Sequence, residues 1–372
     1  MKILISGGHL TPALAFIDFL TLEHSTDQVV FIGRTESQPG QRSHERAEVV
    51  ARKIKFYELD PPRIRSKSKL LTLLSLPGLM PAILRALQVI GKEKVDIFLS
   101  FGSYLAVPVA IAAWLKRVPV VTHEQTMYLG LSSTLIAKLA QKVAVSSAAT
   151  TGFLPVGKKV VTGMPIRASL LDQSHLRPKW FSPASKRPIL FITGGNQGSR
   201  VMNHVICQVL AELCQDWTVI HQVGNPRPDG DDKQLLEAKI RQLPLPLRKR
   251  YYVTRWLSES ELAWIMQHAR LAIARSGANT IQELKLLRLP AILIPLPSSR
   301  FGEQLINAKS LVRTGGAVIL NQSNLTPGSL LRALAEVTSR LEQMRRSYPH
   351  PSLAEVMVPH QKLYNLVKQV AK

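Results

Sequence analysis

Short runs of apolar residues alternate with longer stretches of helical periodicity along this 372-residue chain. A strand buried on both faces reads as a continuous apolar run, so the runs predict strands of parallel sheets. Helical patterns separate most of them, for example at 105–115 and 258–268, and this alternation predicts helices on both faces of each sheet. The predicted strands are 28–32, 97–101, 118–122 and 142–146 in the first half, and 217–223, 251–254, 271–274 and 291–295 in the second.

A faint internal repeat links the two halves. Residues 3–8 (Ile-Leu-Ile-Ser-Gly-Gly) recur as residues 190–195 (Leu-Phe-Ile-Thr-Gly-Gly). In each copy an apolar run ends at two glycines and a helical pattern follows, which is the strand–loop–helix opening of a nucleotide-binding α/β unit. In the first copy Thr11 is placed to cap the helix, and Pro12 fits its first turn.

The repeat predicts an α/β chain with two Rossmann-like domains. Their predicted boundaries are 1–166 and 167–351, with a linker rich in Pro and Lys at 164–188. A final helix over 352–372 is expected to pack back on the first domain. The opening residues run straight into the first glycine loop and do not resemble a signal peptide, which points to the cytoplasm.

The charge balance narrows the set of partners. Lys and Arg number 48 against 25 Asp and Glu, which gives a net charge of +23. Such a chain suits nucleic acid, an anionic membrane surface or phosphate-bearing substrates. The sequence has no RNP aromatic pattern, zinc-finger spacing or basic tail, and only 6% of its residues are aromatic. Nucleic acid is therefore not an expected partner, and membrane and phosphate remain.

Much of the charge lies in a basic window, residues 52–94, whose ten cations and three anions leave +7. Within it, residues 70–84 are mostly apolar but fall short of the about 20 residues that span a bilayer. Pro77 and Pro81 are expected to break any helix there. A short apolar stretch among cations fits a surface over 63–90 that dips into an anionic headgroup layer. The alternative is a buried helix–loop–helix, and the stretch alone favours neither.

Small and ionisable residues gather where predicted strands end. Gly7, Gly8 and His9 follow the first strand, and His123 and Glu124 follow an apolar approach at 118–121. Glycine N–H groups can approach an anion at a helix start, and parallel sheets place ligands at these strand ends. His9 and Glu124 are thus candidate catalytic groups. The alternative for a lone histidine is a structural role.

Two segments in the second half also follow predicted strands and are candidate ligand-binding sites. The loop at 194–199 (Gly-Gly-Asn-Gln-Gly-Ser) lacks the Gly-Lys-Ser/Thr ending of a Walker loop. The segment 275–283 follows a predicted strand, and its Ser276 is placed to cap the next helix and leave free N–H groups toward a diphosphate. Glu283, two turns further on, can accept hydrogen bonds from both hydroxyls of a ribose. The alternative for Glu283 is a surface carboxylate.

No metal or cofactor is predicted. The two cysteines, Cys207 and Cys214, exclude a disulfide scaffold and a cysteine-rich zinc module, and their seven-residue spacing on one helix would keep them about 10 Å apart. No His, Cys or carboxylate cluster has the spacing of metal ligands. The Asp229-Gly230-Asp231 segment lies among prolines and reads as a solvated loop.

In order and spacing, these pieces resemble the MurG family of glycosyltransferases, glycosyltransferase family 28. Seven blocks in register over nearly the whole chain make a specific match. The resemblance implies the GT-B fold, two Rossmann-like parallel-sheet domains facing a cleft. The blocks are Gly-Gly-His (7–9) with Pro-Ala-Leu-Ala (12–15), Phe-Gly-Ser-Tyr (101–104), Pro-Val-Val-Thr-His-Glu-Gln (119–125), Thr-Gly-Met-Pro-Ile-Arg (162–167), Gly-Gly-Asn-Gln-Gly-Ser (194–199), Arg-Ser-Gly-Ala-Asn-Thr-Ile-Gln-Glu (275–283) and Glu-Gln-Leu-Ile-Asn-Ala (303–308).

The resemblance also implies an activity. Family members transfer GlcNAc from UDP-GlcNAc, with inversion and without a metal, to an undecaprenyl-diphosphate-linked muramoyl-pentapeptide (lipid I), which yields lipid II for peptidoglycan. The expected location is peripheral, on the cytoplasmic face of the membrane. The implied donor contacts are Glu283 to the UDP ribose; Ala278, Asn279 and Thr280 to the diphosphate; Leu257 to uracil; Arg167 beside the nucleotide; Asn196 to a phosphate; and Gln304 and Asn307 to the GlcNAc hydroxyls.

On the acceptor side the resemblance implies His9 as general base, with Glu124 as the second candidate. Three positions depart from the family pattern. The first loop keeps only Gly7 and Gly8 before His9, where the family has Gly-Gly-Thr-Gly-Gly-His around the acceptor diphosphate. Thr126 replaces the Asn of His-Glu-Gln-Asn, which removes an amide at the sugar site. Asn196 replaces a Ser and can still donate to a phosphate.

Because the departures fall mainly on the acceptor side, alternatives remain for the function. One is a GT-B transferase that acts on another lipid acceptor. A second is a UDP-GlcNAc 2-epimerase, which has the same fold and ligand, but that activity would not explain the basic window. A third is a degenerate protein that binds UDP-sugar or membrane without catalysis, which the shortened first loop supports.

Overall fold

A computed structural model describes residues 1–38, 41–62, 76–152, 154–182, 186–195, 197–228, 230–349 and 351–372. The chain forms two compact units. The first unit contains Met1–Arg167 together with Ala354–Lys372, and the second contains Ala168–Leu353.

The first unit is built on a parallel sheet in the order β5-β2-β1-β6-β7-β8-β9. Its central strands are buried on both faces, as their continuous apolar sequences require. A separate antiparallel pair, β3 (Glu36–Gln38) and β4 (Gln41–Arg42), lies outside the sheet. The sheet strands are β1 (Lys2–Ser6), β2 (Gln28–Gly33), β5 (Lys55–Glu58), β6 (Ile97–Ser100), β7 (Val120–Glu124), β8 (Lys142–Val145) and β9 (Lys159–Val161).

Helices of the first unit cover both faces of its sheet. The helices are α1 (Leu10–Glu23), α2 (His44–Ala51), α3 (Met80–Glu93), α4 (Ala106–Leu115), α5 (Leu131–Leu139) and α15 (Leu353–Ala371). On one face α3 and α4 pack against residues such as Phe98, and on the other face α1 and α15 enclose Phe31. Of α15, Leu363 and Val367 are completely buried in that second core.

The second unit repeats the plan with a parallel sheet in the order β12-β11-β10-β13-β14-β15. Its strands are β10 (Ile189–Thr193), β11 (Thr218–Gln222), β12 (Tyr251–Thr254), β13 (Ala269–Ala274), β14 (Ala291–Leu293) and β15 (Ala317–Ile319). Its helices are α6 (Arg200–Gln208), α7 (Leu210–Asp216), α8 (Asp232–Arg241), α9 (Leu245–Arg248), α10 (Glu259–His268), α11 (Ala278–Leu286), α12 (Glu303–Val312), α13 (Pro327–Ser339) and α14 (Leu341–Ser347).

The predicted strands and the predicted duplication are confirmed. Every predicted strand overlaps an observed one, and β1 and β10 each end at two glycines that lead into a helix. The pattern did not predict the separate pair β3 and β4, nor, in the two parallel sheets, the strands β5, β9 and β15, which lie at sheet edges. An edge strand is only partly buried, so its sequence mixes polar and apolar residues and lacks a clear run.

Three local expectations were wrong. Thr11 does not cap α1, because the helix begins at Leu10 with His9 at its N-cap and no side-chain cap. Pro81 does not break a helix but stands in the first turn of α3, where its missing N–H has no cost. Cys207 and Cys214 lie on two helices, α6 and α7, that meet at Val209.

The predicted linker is also wrong over most of its length. From Ala168 onward the chain belongs to the second unit. The Ser169 hydroxyl donates to Glu259 at 2.7 Å, the Gln267 amide donates to the Leu170 carbonyl at 2.9 Å, and Phe181 is buried. The segment lines the second unit because its few apolar side chains fill that unit's core.

Candidate functional site

The first glycine loop is held tightly against the loop that follows β6. A Cβ on Gly7 would lie 2.6 Å from the backbone carbon of Phe101, and a Cβ on Gly8 would lie 2.6 Å from the Ser103 hydroxyl oxygen. The Gly8 N–H also donates to the Gly102 carbonyl at 3.3 Å. The two glycines are therefore required for the approach of these two strand ends.

His9 lies at the carboxyl edge of the first unit's parallel sheet, at the N-cap of α1. Burial lowers the pKa of its imidazole, and the nearby Glu124 carboxylate partly opposes this effect. Near pH 7 the ring is therefore mainly neutral and able to accept a proton. The structure thus brings the two predicted base candidates together, from β1 and β7, within electrostatic reach of each other.

His123 and Glu124 are the last two residues of β7 and are both buried. The His123 Nε2 donates to the Gly163 carbonyl at 2.9 Å, and its ring packs on Phe101 with 5.5 Å between centroids. Glu124 Oε1 accepts from the Thr126 N–H at 3.0 Å and from the Thr126 hydroxyl at 2.7 Å. Thr126 therefore fixes the orientation of the Glu124 carboxylate.

The second glycine loop, after β10, packs on the loop after β11. Gly198 has a φ of +69°, and a Cβ there would overlap the Val223 carbonyl oxygen. The Gly195 N–H donates to the Thr193 hydroxyl at 3.0 Å. Asn196, the predicted phosphate contact, lies outside the described residues.

The start of α11 has no side-chain cap. Gly277 is the N-cap, and the Ser276 hydroxyl donates instead to the Gln304 carbonyl at 2.7 Å, so the predicted Ser276 cap is wrong. The first-turn N–H groups of Ala278, Asn279 and Thr280 therefore keep their donor capacity at the positive end of the helix dipole. This is the kind of helix end that binds a phosphate.

The first turns of α12 lie against the start of α11. The Asn307 amide donates to the Ser276 carbonyl at 3.2 Å, and Gln304 Oε1 accepts from the Leu296 N–H at 2.9 Å. These bonds fix the two side chains that were predicted to contact the sugar. Each keeps one further polar atom, Gln304 Nε2 and Asn307 Oδ1, with which it can meet a hydroxyl.

Arg275 is a structural member of this site that the sequence did not reveal. Its buried guanidinium donates to the Ile294 carbonyl at 2.9 Å, and to the Ser199 hydroxyl and Gln322 Oε1 at 2.6 Å each. It thereby joins the ends of β13 and β14 to the second glycine loop. A single arginine in a motif gives no signal of partners 76 and 47 residues away along the chain.

Three other predicted donor residues have different surroundings. Glu283 is buried on α11. The Leu257 side chain is buried in a core cluster beside α10. Arg167 is partly buried at the end of the first unit's main segment. The roles of all three stay predictions.

Two family models match the chain. Glycosyltransferase family 28 N-terminal domain covers residues 6–145, and glycosyltransferase family 28 C-terminal domain covers residues 189–357. A full-length relative is the UDP-N-acetylglucosamine–N-acetylmuramyl-(pentapeptide) pyrophosphoryl-undecaprenol N-acetylglucosamine transferase of Clostridium kluyveri, 31% identical over 376 residues that cover 99% of each chain. The chain belongs to glycosyltransferase family 28. The same-named Clostridium botulinum enzyme is 31% identical over 340 residues, or 90% of each chain.

Solved structures agree on the fold of this family 28 chain. Acinetobacter baumannii MurG aligns with a TM-score of 0.64 and 24% identity over 99% of each chain. The UDP-GlcNAc 2-epimerase of Neisseria meningitidis, solved with UDP-GlcNAc, aligns with a TM-score of 0.64 at 12% identity over 99% of this chain and all of that one. The predicted GT-B fold class and the predicted family are confirmed.

Each unit of the family 28 enzyme thus presents chemically distinct groups at the carboxyl edge of its own sheet. The first unit offers a mainly neutral imidazole with a carboxylate beside it. The second offers an uncapped helix start with two anchored amide side chains. Acid–base groups suit a hydroxyl that must lose a proton, and helix N–H groups suit a phosphate.

Proposed function

We propose that this enzyme transfers GlcNAc from UDP-GlcNAc to the undecaprenyl-diphosphate-linked muramoyl-pentapeptide, which converts lipid I to lipid II in peptidoglycan synthesis. The relatives whose names state this reaction match 90 to 99% of the chain. The structural observation that carries the proposal is the placement of His9 and Glu124 at the carboxyl edge of the first sheet, within electrostatic reach of each other.

In the proposed reaction His9 acts as the general base. Its neutral imidazole removes the proton of the acceptor hydroxyl while that oxygen attacks the anomeric carbon of GlcNAc. The bond from the anomeric carbon to the diphosphate breaks on the opposite face, and UDP leaves with the electron pair. Glu124 stabilises the imidazolium that forms, in the orientation that Thr126 sets.

The second unit is proposed to hold the donor and its leaving group. Negative charge grows on the UDP diphosphate as the bond breaks, and the first-turn N–H groups of α11, at Ala278–Thr280, are oriented to stabilise it. Glu283 is proposed to bind the ribose, and Gln304 and Asn307 the GlcNAc hydroxyls. Asn196 and Arg167 are proposed as further diphosphate contacts, and the Leu257 backbone as the uracil contact.

The first glycine loop is proposed to lie beside the acceptor diphosphate. Gly7 and Gly8 bring backbone close to the β6 loop, and His9 follows them directly. Because this loop is shorter than the family pattern, the identity of the acceptor is tested directly.

That test is incubation of the purified protein with labelled UDP-GlcNAc and lipid I in detergent or bilayer. Transfer of label to lipid I with release of UDP is the expected result. Label on another polyprenyl or diacylglycerol acceptor, but not on lipid I, would contradict the acceptor. UDP-ManNAc as the product would indicate an epimerase, and UDP-GlcNAc binding without any product would indicate a protein that only binds.

We further propose that the enzyme works as a peripheral protein on the cytoplasmic face of the membrane, with residues 63–90 against anionic lipid. Residues 63–75 lie outside the described residues. In the rest of this region Leu79 and Ile83 are buried, as the alternative interpretation required, whereas Met80 and Leu84 are 50% and 55% exposed on α3.

A second exposed apolar pair supports this surface. On α5, Leu131 and Leu135 are 67% and 48% exposed, and α4 packs against both α3 and α5 on this face of the sheet. On α3 the exposed Arg85 directly follows Leu84, and exposed apolar side chains beside a cation fit a headgroup layer. Among the described helices, none combines the length and the apolar character needed to cross a bilayer.

We expect replacement of Met80 and Leu84 by Ser to weaken binding to anionic vesicles equally at low and high salt, because salt does not screen apolar insertion. Replacement of Lys67, Lys69 and Arg85 by Gln should weaken it mainly at low salt, since each cation contributes about 1 kcal/mol near such a surface. Vesicle co-sedimentation measures both.

Leu22 provides a matched control for the membrane variants. It is 74% exposed on α1, which packs on the other face of the sheet, so Leu22→Ser should bind vesicles like the parent. Parent-like binding by both the serine and the glutamine variants would move the docking surface elsewhere. Unfolding of the serine variant, seen by circular dichroism, would mean that these side chains belong to the core.

Thr126 should act through Glu124. Thr126→Val removes the hydroxyl that donates to the carboxylate, and we expect kcat to fall roughly 10- to 150-fold, since such a bond to a charged group contributes roughly 1.5–3 kcal/mol. If the carboxylate turns away from His9, the pKa of His9 falls further and the acidic limb of the kcat profile moves to lower pH. Thr126→Ser should restore both values. An unchanged pH profile in Thr126→Val would contradict the role.

A further inference from the structure

Along the outer edge of β12, some backbone groups have no hydrogen-bond partner among the described residues. In the parallel ladder with β11, the Val219 N–H donates to the Arg250 carbonyl and the Val223 N–H to the Thr254 carbonyl. Because the bonds of a parallel ladder alternate along the strand, the N–H and C=O groups of Tyr251 and Val253 point away from β11. These groups bond to no other strand in the part of the chain that the structure describes.

A groove of about 600 Å³ runs along this edge. Its lining residues are Trp180, Lys233, Glu237, Ile240, Arg241 and the β12 residues Tyr251–Thr254. The groove has α8 on one side and Trp180 on the other. Its floor is therefore a strand edge and its two walls differ in chemistry.

The α8 wall is cationic and rigid. Lys233 pairs with Glu237 at 3.4 Å, so the excess positive charge of this wall comes from Arg241 and from the exposed Arg248 and Lys249 beside the continuation of the edge. A buried chain of hydrogen bonds ties this wall to the strand. The Tyr251 hydroxyl meets His221 Nδ1 at 2.6 Å, His221 Nε2 meets Asn203 Oδ1 at 3.0 Å, and the Asn203 amide donates to Asp232 at 2.7 Å.

The opposite wall is aromatic. Trp180 is 39% exposed, and its indole N–H donates to Glu261 at 2.6 Å, which fixes the ring. Tyr252 lies beside it with 6.4 Å between ring centroids. A fixed, half-exposed tryptophan is the type of side chain that anchors a partner at an interface.

We infer that this groove binds an extended acidic peptide segment of a partner protein, which adds to the sheet as a strand beside β12. An added strand bonds to the outward groups of Tyr251 and Val253 through its backbone. Its side chains point alternately to the two walls. The matching segment therefore alternates acidic residues, which face α8, with apolar residues, which face Trp180. This inference does not depend on the proposed sugar transfer.

The probe is a fluorescein-labelled acetyl-Glu-Val-Glu-Val-Glu-Val-Glu amide, titrated with the full chain and followed by anisotropy. We expect saturable binding with a Kd below about 1 mM that weakens at least tenfold between about 50 mM and 500 mM salt. The matched peptide with Lys in place of each Glu should not bind. Absence of binding by the Glu peptide, or equal binding of both peptides, would overturn the inference.

Three variants test the contacts. Val253→Pro removes an outward N–H without removing a bond to β11, so the fold should remain and binding should fall at least tenfold. Arg241→Glu should produce a similar loss at low salt, and Trp180→Ala should reduce binding at all salt concentrations. Parent-like affinity in both Val253→Pro and Arg241→Glu would refute the groove as the site.

The same variants test whether a second copy of the chain, instead of a partner peptide, occupies the groove. If sedimentation shows self-association that Val253→Pro abolishes, the edge belongs to an interface between copies, and the inference is wrong. Thermal unfolding checks the fold of each variant. Lipid I turnover of the variants should equal that of the parent, because no groove residue belongs to the proposed transfer site.

Discussion

His9→Ala should lower turnover of UDP-GlcNAc with lipid I by roughly 10²–10⁴, the usual contribution of a positioned general base. UDP affinity should stay nearly unchanged, because His9 lies in the first unit and the proposed nucleotide contacts lie mainly in the second. The fold should also survive, since the His9 side chain makes no capping bond to α1. Steady-state kinetics with calorimetry of UDP binding measures both effects.

The pH profile adds an independent check on His9. Burial lowers the pKa of His9 from its usual 6.5, so the base form persists below that pH and the acidic limb of kcat/KM should have its midpoint below about 6.5. His204, about 42% exposed on α6, offers a matched control, and His204→Ala should keep parent activity. If His9→Ala turns over normally and Glu124→Gln does not, then Glu124 is the base.

Glu283→Ala should weaken UDP binding by about 2–4 kcal/mol, or roughly 30- to 1000-fold, because a carboxylate that accepts from two ribose hydroxyls makes two charged hydrogen bonds. Isothermal calorimetry with UDP measures the loss. Glu336→Ala changes an exposed carboxylate on α13 and should bind UDP like the parent.

A nucleotide analogue makes the Glu283 test specific. The parent should bind 2′-deoxy-UDP more weakly than UDP, whereas Glu283→Ala should bind the two alike, since the variant has no carboxylate for the 2′-hydroxyl. Equal UDP affinity in the parent and in Glu283→Ala would remove Glu283 from the donor site. A variant that still discriminates between the nucleotides would assign the ribose contact to another residue.

The sequence predicted the sheets best where burial is complete. Strands β1, β6 and β10 are buried on both faces, and their residues must be apolar, so each strand is recognisable as a continuous apolar run. Strand β5 reads Lys-Phe-Tyr-Glu and is half exposed, and such a sequence does not stand out from a loop. Strand prediction from sequence therefore fails for a physical reason: few positions of a partly solvent-exposed strand must be apolar.

The candidate site shows a similar division. Glycine pairs and the residues at strand ends could be predicted, because they follow from strand–loop–helix connections within short stretches. The Ser276 cap could not, since Ser276 bonds to the Gln304 carbonyl 28 residues away. The same holds for the three-way contact of Arg275. Contacts between distant segments depend on tertiary packing, for which a local motif carries no signal.

Helix α15 has a consequence for how the protein is made. Its Leu363 and Val367 complete the core that α1 and β1 begin, yet about 350 residues separate these segments along the chain. On the ribosome, the second unit emerges whole before α15 does, so it can fold first. The first unit, although its strands are synthesised earliest, must wait with exposed apolar surface until α15 arrives. The first unit is therefore synthesised first but completes its folding last. Before α15 emerges, its exposed apolar surface is the main surface that a chaperone can bind.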